Sequence, residues 1–124
     1  MEITPAIPQG RQVIDSYGPG RFRISSVTYA GSVLVFPERT QAWPVTTMAG
    51  LALDSLSDVL AAEPPVEILL IGCGPRLVPI PGALKNALRA RGIGSDAMDT
   101  GAACRTFNIL LSESRRVAAA LIAL

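Results

Sequence analysis

The stretch V-E-I-L-L-I-G-C-G-P-R, Val66 to Arg76, decides the fold. Ile68-Leu69-Leu70-Ile71 is a short apolar run that stops at Gly72, Gly74 and Pro75, and a helical pattern opens at Pro81. Such a run fits a strand buried on both faces, and the glycines supply the sharp turn out of it. Strand, glycine turn and helix make one unit of a layered α/β domain. Ligands of such folds sit beyond the carboxyl ends of the strands, so the loop Gly72 to Arg76 is the first place to look for a site.

Working outward toward the N-terminus, Glu63-Pro64-Pro65 ends a helix expected from about Met48 to Ala62 and capped by Thr46 or Thr47. Its Met48, Leu51, Ala52, Leu56, Val59 and Leu60 share one stripe, and Asp54 and Asp58 lie four apart on the outer face. Further back, Pro37-Glu38-Arg39 and Gly31-Ser32 punctuate β-prone runs at Thr40 to Trp43, Ser32 to Phe36 and Phe22 to Ala30. Phe22, Ile24 and Val27 are the expected inward positions of the last of these. Together they predict an antiparallel β-meander. Residues 1–12 read as an N-terminal arm or frayed end, and residues 13–124 as a single domain.

Toward the C-terminus, Pro81 suits the first turn of a second helix, with Leu84, Ala87 and Leu88 inward, Lys85 and Arg89 outside, and Gly92 as its cap. Ser95 to Met98 reads as another strand. Asp99 or Thr100 then caps a third helix, about Gly101 to Leu111, with Ala103, Cys104, Phe107, Leu110 and Leu111 inward. The tail from Arg116 to Leu124 stays open: its alanines favour helix, its short buried character a last strand.

Composition narrows the function classes. The chain has 124 residues, 49% of them hydrophobic, 17% charged and 5% aromatic, and its net charge is +1. That share of apolar residues supports a packed core built on Leu, Ile, Val and Ala. The low charge and mean hydropathy of +0.39 fit either a small surface or an apolar face covered by a partner. Basic residues are scattered from Arg11 to Arg116 with no stripe of interleaved aromatics, so no nucleic-acid footprint is expected. Val117 to Leu124 is the longest fully apolar stretch, far short of the ~20 residues of a transmembrane helix. The first residues, M-E-I-T-P-A-I-P-Q-G, resemble neither a signal peptide nor an organelle presequence, which predicts a cytoplasmic protein. With no histidine and only Cys73 and Cys104, neither a Ser-His-Asp or Cys-His centre nor a Cys₄ metal site can be built. No metal or cofactor is expected.

One constellation stands out. Gly72-Cys73-Gly74 lets the backbone turn and present N–H groups, and Arg76 adds a positive charge. If the strands at Val66 and Ser95 are parallel neighbours, Asp99, Thr100 and Arg105 reach the same edge. Guanidiniums, a hydroxyl and a helix N-terminus around one crevice suit a carboxylate or phosphate, although the loop matches neither G-x-x-x-x-G-K-[ST] nor G-x-G-x-x-G. A plain strand-to-helix turn is the alternative. Cys73 and Cys104 could be a reactive pair at that edge, but two free thiols without a base usually serve as small buried hydrophobes. Asp54 and Asp58 have no pocket signal around them and read as a solvated face, and Trp43 reads as core filling rather than a ligand stack.

The segments I-D-S-Y-G-P-G-R-F-R-I at Ile14 to Ile24, L-L-I-G-C-G-P-R at Leu69 to Arg76, R-A-R-G-I-G at Arg89 to Gly94 and M-D-T-G-A-A-C-R-T-F-N-I-L-L at Met98 to Leu111 resemble the domain of unknown function 498 family, which includes the mitochondrial respiratory complex I assembly factor 3. The resemblance implies a compact three-layer α/β domain with a central mixed β-sheet flanked by helices, the tail after Arg116 being a strand. It also implies a non-catalytic binding or assembly protein with a protein partner, namely complex I subunits or assembly factors, which could bring it to the inner membrane. Members often carry threonine where this chain has Cys73, a departure that counts against a redox role. The expected ligand or partner edge is Gly72, Cys73, Gly74, Arg76, Asp99, Thr100 and Arg105; the rival function is a small-anion receptor or enzyme with Asp99 as base.

Overall fold

The computed structural model describes residues 11–124, so the arm expected at residues 1–12 lies largely outside the described residues. Along the chain run β1 (Ile14–Gly18), β2 (Arg21–Ile24), β3 (Val27–Ala30), β4 (Val33–Val35), β5 (Thr40–Ala42), two 3₁₀ turns (Met48–Gly50 and Leu53–Leu56), α1 (Ser57–Leu60), β6 (Ile68–Gly72), α2 (Gly82–Ala90), β7 (Gly94–Met98), α3 (Thr100–Ser112) and β8 (Val117–Leu121). They form a three-stranded antiparallel sheet, β1-β2-β3, and a five-stranded mixed sheet ordered β5-β4-β8-β6-β7. Within the larger sheet β8 runs antiparallel to β4 and parallel to β6, and β6 runs parallel to β7.

Alternation along the strands splits the interior in two. Leu69 and Ile71 of β6, with Ala118 and Ala120 of β8, enter a core shared with Leu84 and Leu88 of α2, Leu56, Val59 and Trp43. Leu70, with Val117, Ala119 and Leu121, enters the other core, shared with Phe107 and Leu111 of α3 and with Phe22 and Ile24 of the small sheet. The five-stranded sheet is thus the middle of three layers. Its central strand is the tail left open above, V-A-A-A-L, every residue of which is buried. Alanine's helical preference is overridden because its small side chain lets both outer layers approach the sheet closely.

Three local expectations need correction. The helix expected over Met48 to Ala62 is instead two 3₁₀ turns and the single α-turn α1. The Ser55 hydroxyl donates to Ala52 O (2.6 Å) and accepts from Ala52 N (3.0 Å), a local loop that competes with helical bonding. The Trp43 indole N–H also takes the Ser55 carbonyl at 2.7 Å, so that oxygen serves the core and not a helix. Asp54 and Asp58 therefore do not share one helical face; Asp58 accepts from Gln41 Nε2 at 2.7 Å. Phe22 to Ala30 is a hairpin, not one strand, since Ser25 and Ser26 adopt φ of 47° and 69° and reverse the chain. Val27, just past that turn, points outward and is 51% exposed. The meander is consequently shared out, with β1 to β3 in the small sheet and β4 and β5 at one side of the large one.

Candidate functional site

Because β6, β7 and β8 run in the same direction, their outgoing chains converge on one rim of the molecule. That rim holds Gly72, Cys73 and Gly74 from β6, Asp99 and Thr100 after β7, and Ile122 after β8. Arg105 follows one turn into α3, and Arg76 stands exposed in the loop toward α2.

The rim is closed by its own hydrogen bonds. Cys73 N donates to Met98 O (2.8 Å), Thr100 N to Gly74 O (2.8 Å) and Ile122 N to Gly72 O (2.9 Å). The fully buried Thr100 hydroxyl accepts from Gly74 N at 2.8 Å and donates to Ile122 O at 2.7 Å, tying three outgoing chains together. Asp99 is the helix cap: its Oδ1 accepts from Ala102 N at 2.9 Å. Arg105 Nη1 donates to the Tyr17 hydroxyl at 3.1 Å, which ties α3 to β1. Two rim glycines are required by space or geometry. A Cβ on Gly72 would lie 3.0 Å from Thr100 Cα and 3.0 Å from Leu121 Cδ2, and Gly74 holds φ of +99°.

The amides of Cys73 and Gly74, on which an anion would have to sit, are thus already bonded within the protein. Arg76 and Arg105 flank the rim, and the Arg105 guanidinium serves Tyr17. The two cysteines lie in different cores, Cys73 under the α2 face and Cys104 under α3, so they do not form a pair. The Cys73 thiol donates to Val78 O at 3.3 Å. Burial pushes the Cys104 thiol up to about 12, with Arg105 opposing and Asp99 adding to that rise. Among the described residues, no group of three or more His, Cys, Asp or Glu is placed to hold a metal ion, and no helix is long and apolar enough to cross a membrane.

Three features escaped the sequence reading. Asn108 forms a two-way amide clamp on β1, accepting from Ile14 N and donating to Ile14 O, both at 2.9 Å. A half-buried Asn in mid-helix, where it is a poor helix former, is the signal that marks it. Tyr17 lies over the first turn of α3, where a Cβ on Gly101 would collide with the Tyr17 hydroxyl. The third is a cleft of about 450 Å³ along the outer flank of β7, lined among others by Lys85, Arg89, Ser95, Asp96, Thr106 and Leu110. A smaller cavity of about 150 Å³ lies near Phe36, Pro64, Val66 and Arg116. Neither is lined by the loop Gly72 to Arg76.

The match to known proteins extends over nearly all of this architecture. A zebrafish protein named NADH dehydrogenase [ubiquinone] 1 alpha subcomplex assembly factor 3 is 39% identical over 110 residues, covering 89% of this chain and 63% of its own length. The chain thus spans about three fifths of that relative. An uncharacterized protein of Rhodobacter capsulatus is 37% identical over 113 residues, 91% of this chain and 86% of that one. The crystal structure of a Bordetella parapertussis protein superposes with a TM-score of 0.86 at 32% identity, covering 94% of this chain and 98% of that chain. The family described as "Protein of unknown function (DUF498/DUF598)" matches residues 14–122, a span that runs from β1 through the central β8. On that match, the chain belongs to the DUF498/DUF598 family.

Proposed function

We propose that this chain is a non-catalytic binding protein that assists the assembly of respiratory complex I. The observation that carries the reading is its 39% identity to a complex I assembly factor 3, sustained over 89% of this chain. The chemistry of the rim supports it. The polar groups of the rim hold the fold together instead of facing a substrate: Thr100 between two backbone groups, Asp99 on its own helix and Arg105 on Tyr17. An assembly role asks for surface, and the loop after the rim offers it. Arg76 is exposed beside Leu77 and Val78, which are 59% and 40% exposed, an apolar and cationic tip suited to a protein partner. In this reading Gly72, Cys73, Gly74, Asp99, Thr100 and Arg105 are the frame that presents the tip, and any contact with the inner membrane comes through the partner.

The test is removal of the gene followed by native gel analysis of membrane complexes. Assembled complex I should fall severalfold while partial assemblies accumulate, and re-expression of the chain should restore it. Unchanged complex I would overturn the proposal.

A further inference from the structure

We infer that the outer flank of β7 is a docking slot for an extended segment of a partner protein, one that lies down as a sixth strand and carries acidic side chains toward α2. This deepens the assembly reading and rests on it for the class of partner, though not for the geometry. Among the described residues β7 is the last strand of its sheet, with β6 on one side and no strand on the other. Gly94 N donates to Glu67 O and Met98 O accepts from Cys73 N, so Gly94, Asp96 and Met98 direct their backbone groups at β6. By the alternation of a parallel pair, the N–H and C=O of Ser95 and Ala97 point away from β6, on the flank where Ser95 lines the cleft. They present the pattern that an added strand completes.

A second feature of the cleft points the same way. The Ser95 hydroxyl is buried, with the residue only 6% exposed, and has no hydrogen-bond partner among the described residues. Such a group is normally satisfied, and a strand laid along β7 would bring polar backbone beside it.

The walls of the cleft specify the occupant. Ser95 lies on the same sheet face as Leu69, toward α2, and that side carries Lys85 and Arg89. Neither cation has a salt bridge among the described residues. Asp96 and Met98 lie on the opposite face with Leu70, beside Thr106 and Leu110 of α3. Side chains of an added strand alternate between these faces, so carboxylates fit on one and apolar groups on the other.

The same geometry disfavours a second copy of the chain. Antiparallel pairing of β7 with itself that uses all four outward groups would set Ser95 against the copy's Ala97. The two Asp96 residues would then be directly opposed at a non-hydrogen-bonded position, where side chains come closest and like charges repel.

The experiment uses the whole chain and two capped pentapeptides, Val-Glu-Val-Glu-Val and Val-Lys-Val-Lys-Val, read by amide NMR and calorimetry. The glutamate peptide should bind saturably and shift the Ser95 and Ala97 amides, with the lysine peptide at least tenfold weaker. Ala97→Pro removes only an outward N–H, so it should abolish binding while the fold persists; if that variant unfolds, the surface double variant Lys85→Glu/Arg89→Glu decides, with at least a tenfold loss expected. Absence of binding at millimolar peptide, equal binding of both peptides, or binding indifferent to these variants overturns the slot. So does a dimer of the chain that Ala97→Pro dissolves. The gene-deletion cells separate the two readings: rescue of complex I by Ala97→Pro removes the slot and leaves the assembly role. Normal complex I without the chain, together with specific peptide binding, does the reverse.

Discussion

Thr100 illustrates how a single hydroxyl can hold a rim together. It bridges Gly74 N and Ile122 O at 2.8 and 2.7 Å, wholly out of contact with water. Thr100→Val keeps the shape and leaves both backbone groups without that partner, so it should lower the unfolding free energy by about 2–4 kcal/mol in urea titration. The same residue shows why the site was only half legible. Its place at the edge follows from spacing after the Ser95 strand, but whether a hydroxyl faces a ligand or a neighbouring backbone depends on where β8 ends. Cys104 gives a second residue-level test. Its thiol ionises at about 12 in the folded chain against an ordinary 9.0, so the unfolded chain releases that proton first as pH rises. Stability from this group is full below pH 9 and is lost toward 12. Cys104→Ala should flatten that part of the decline in melting temperature, whatever it does to stability at neutral pH.

At the scale of elements, β6, α2, β7 and α3 were readable because each combines a clear period with a punctuating residue: Gly72 and Gly74, Pro81, Gly92 and Asp99. The failures share a different cause. Residues 48–60 carry a helical stripe, yet Ser55 and the Trp43 indole settle their backbone bonding, and neither acts through periodicity. The Ser25-Ser26 reversal lacks the glycine or asparagine that usually announces a two-residue hairpin turn. β8 was undecidable locally because V-A-A-A-L is a strand only when both flanks are occupied. Its packing makes a prediction about the element. Ala119 is fully buried between Val35 and Leu70 in register, so Ala119→Leu should destabilise the protein by about 1–3 kcal/mol in urea titration. The exposed Ala30→Leu, on an outer strand, should change stability by no more than about 0.5 kcal/mol.

Taken whole, the molecule divides its labour by direction. Parallel β6, β7 and β8 send their exits to one rim, and that rim is spent on cohesion. The two surfaces proposed above for recognition lie beside it: the exposed Arg76 to Val78 tip and the flank of β7 that carries no strand among the described residues. Parallel pairing of the strands at Val66 and Ser95 was the condition on which the sequence placed these residues at one edge, and β6 and β7 meet it; a rim so fully occupied was not anticipated, since it needs the distant Ile122 and Tyr17 to be in place. The order of the strands also carries a temporal consequence. β4 and β6 never touch as sheet partners; only β8, the last of the eight to leave a ribosome, joins them. During synthesis the inner flanks of β4 and β6 stay hydrated until β8 emerges, so the five-stranded sheet can be completed only late.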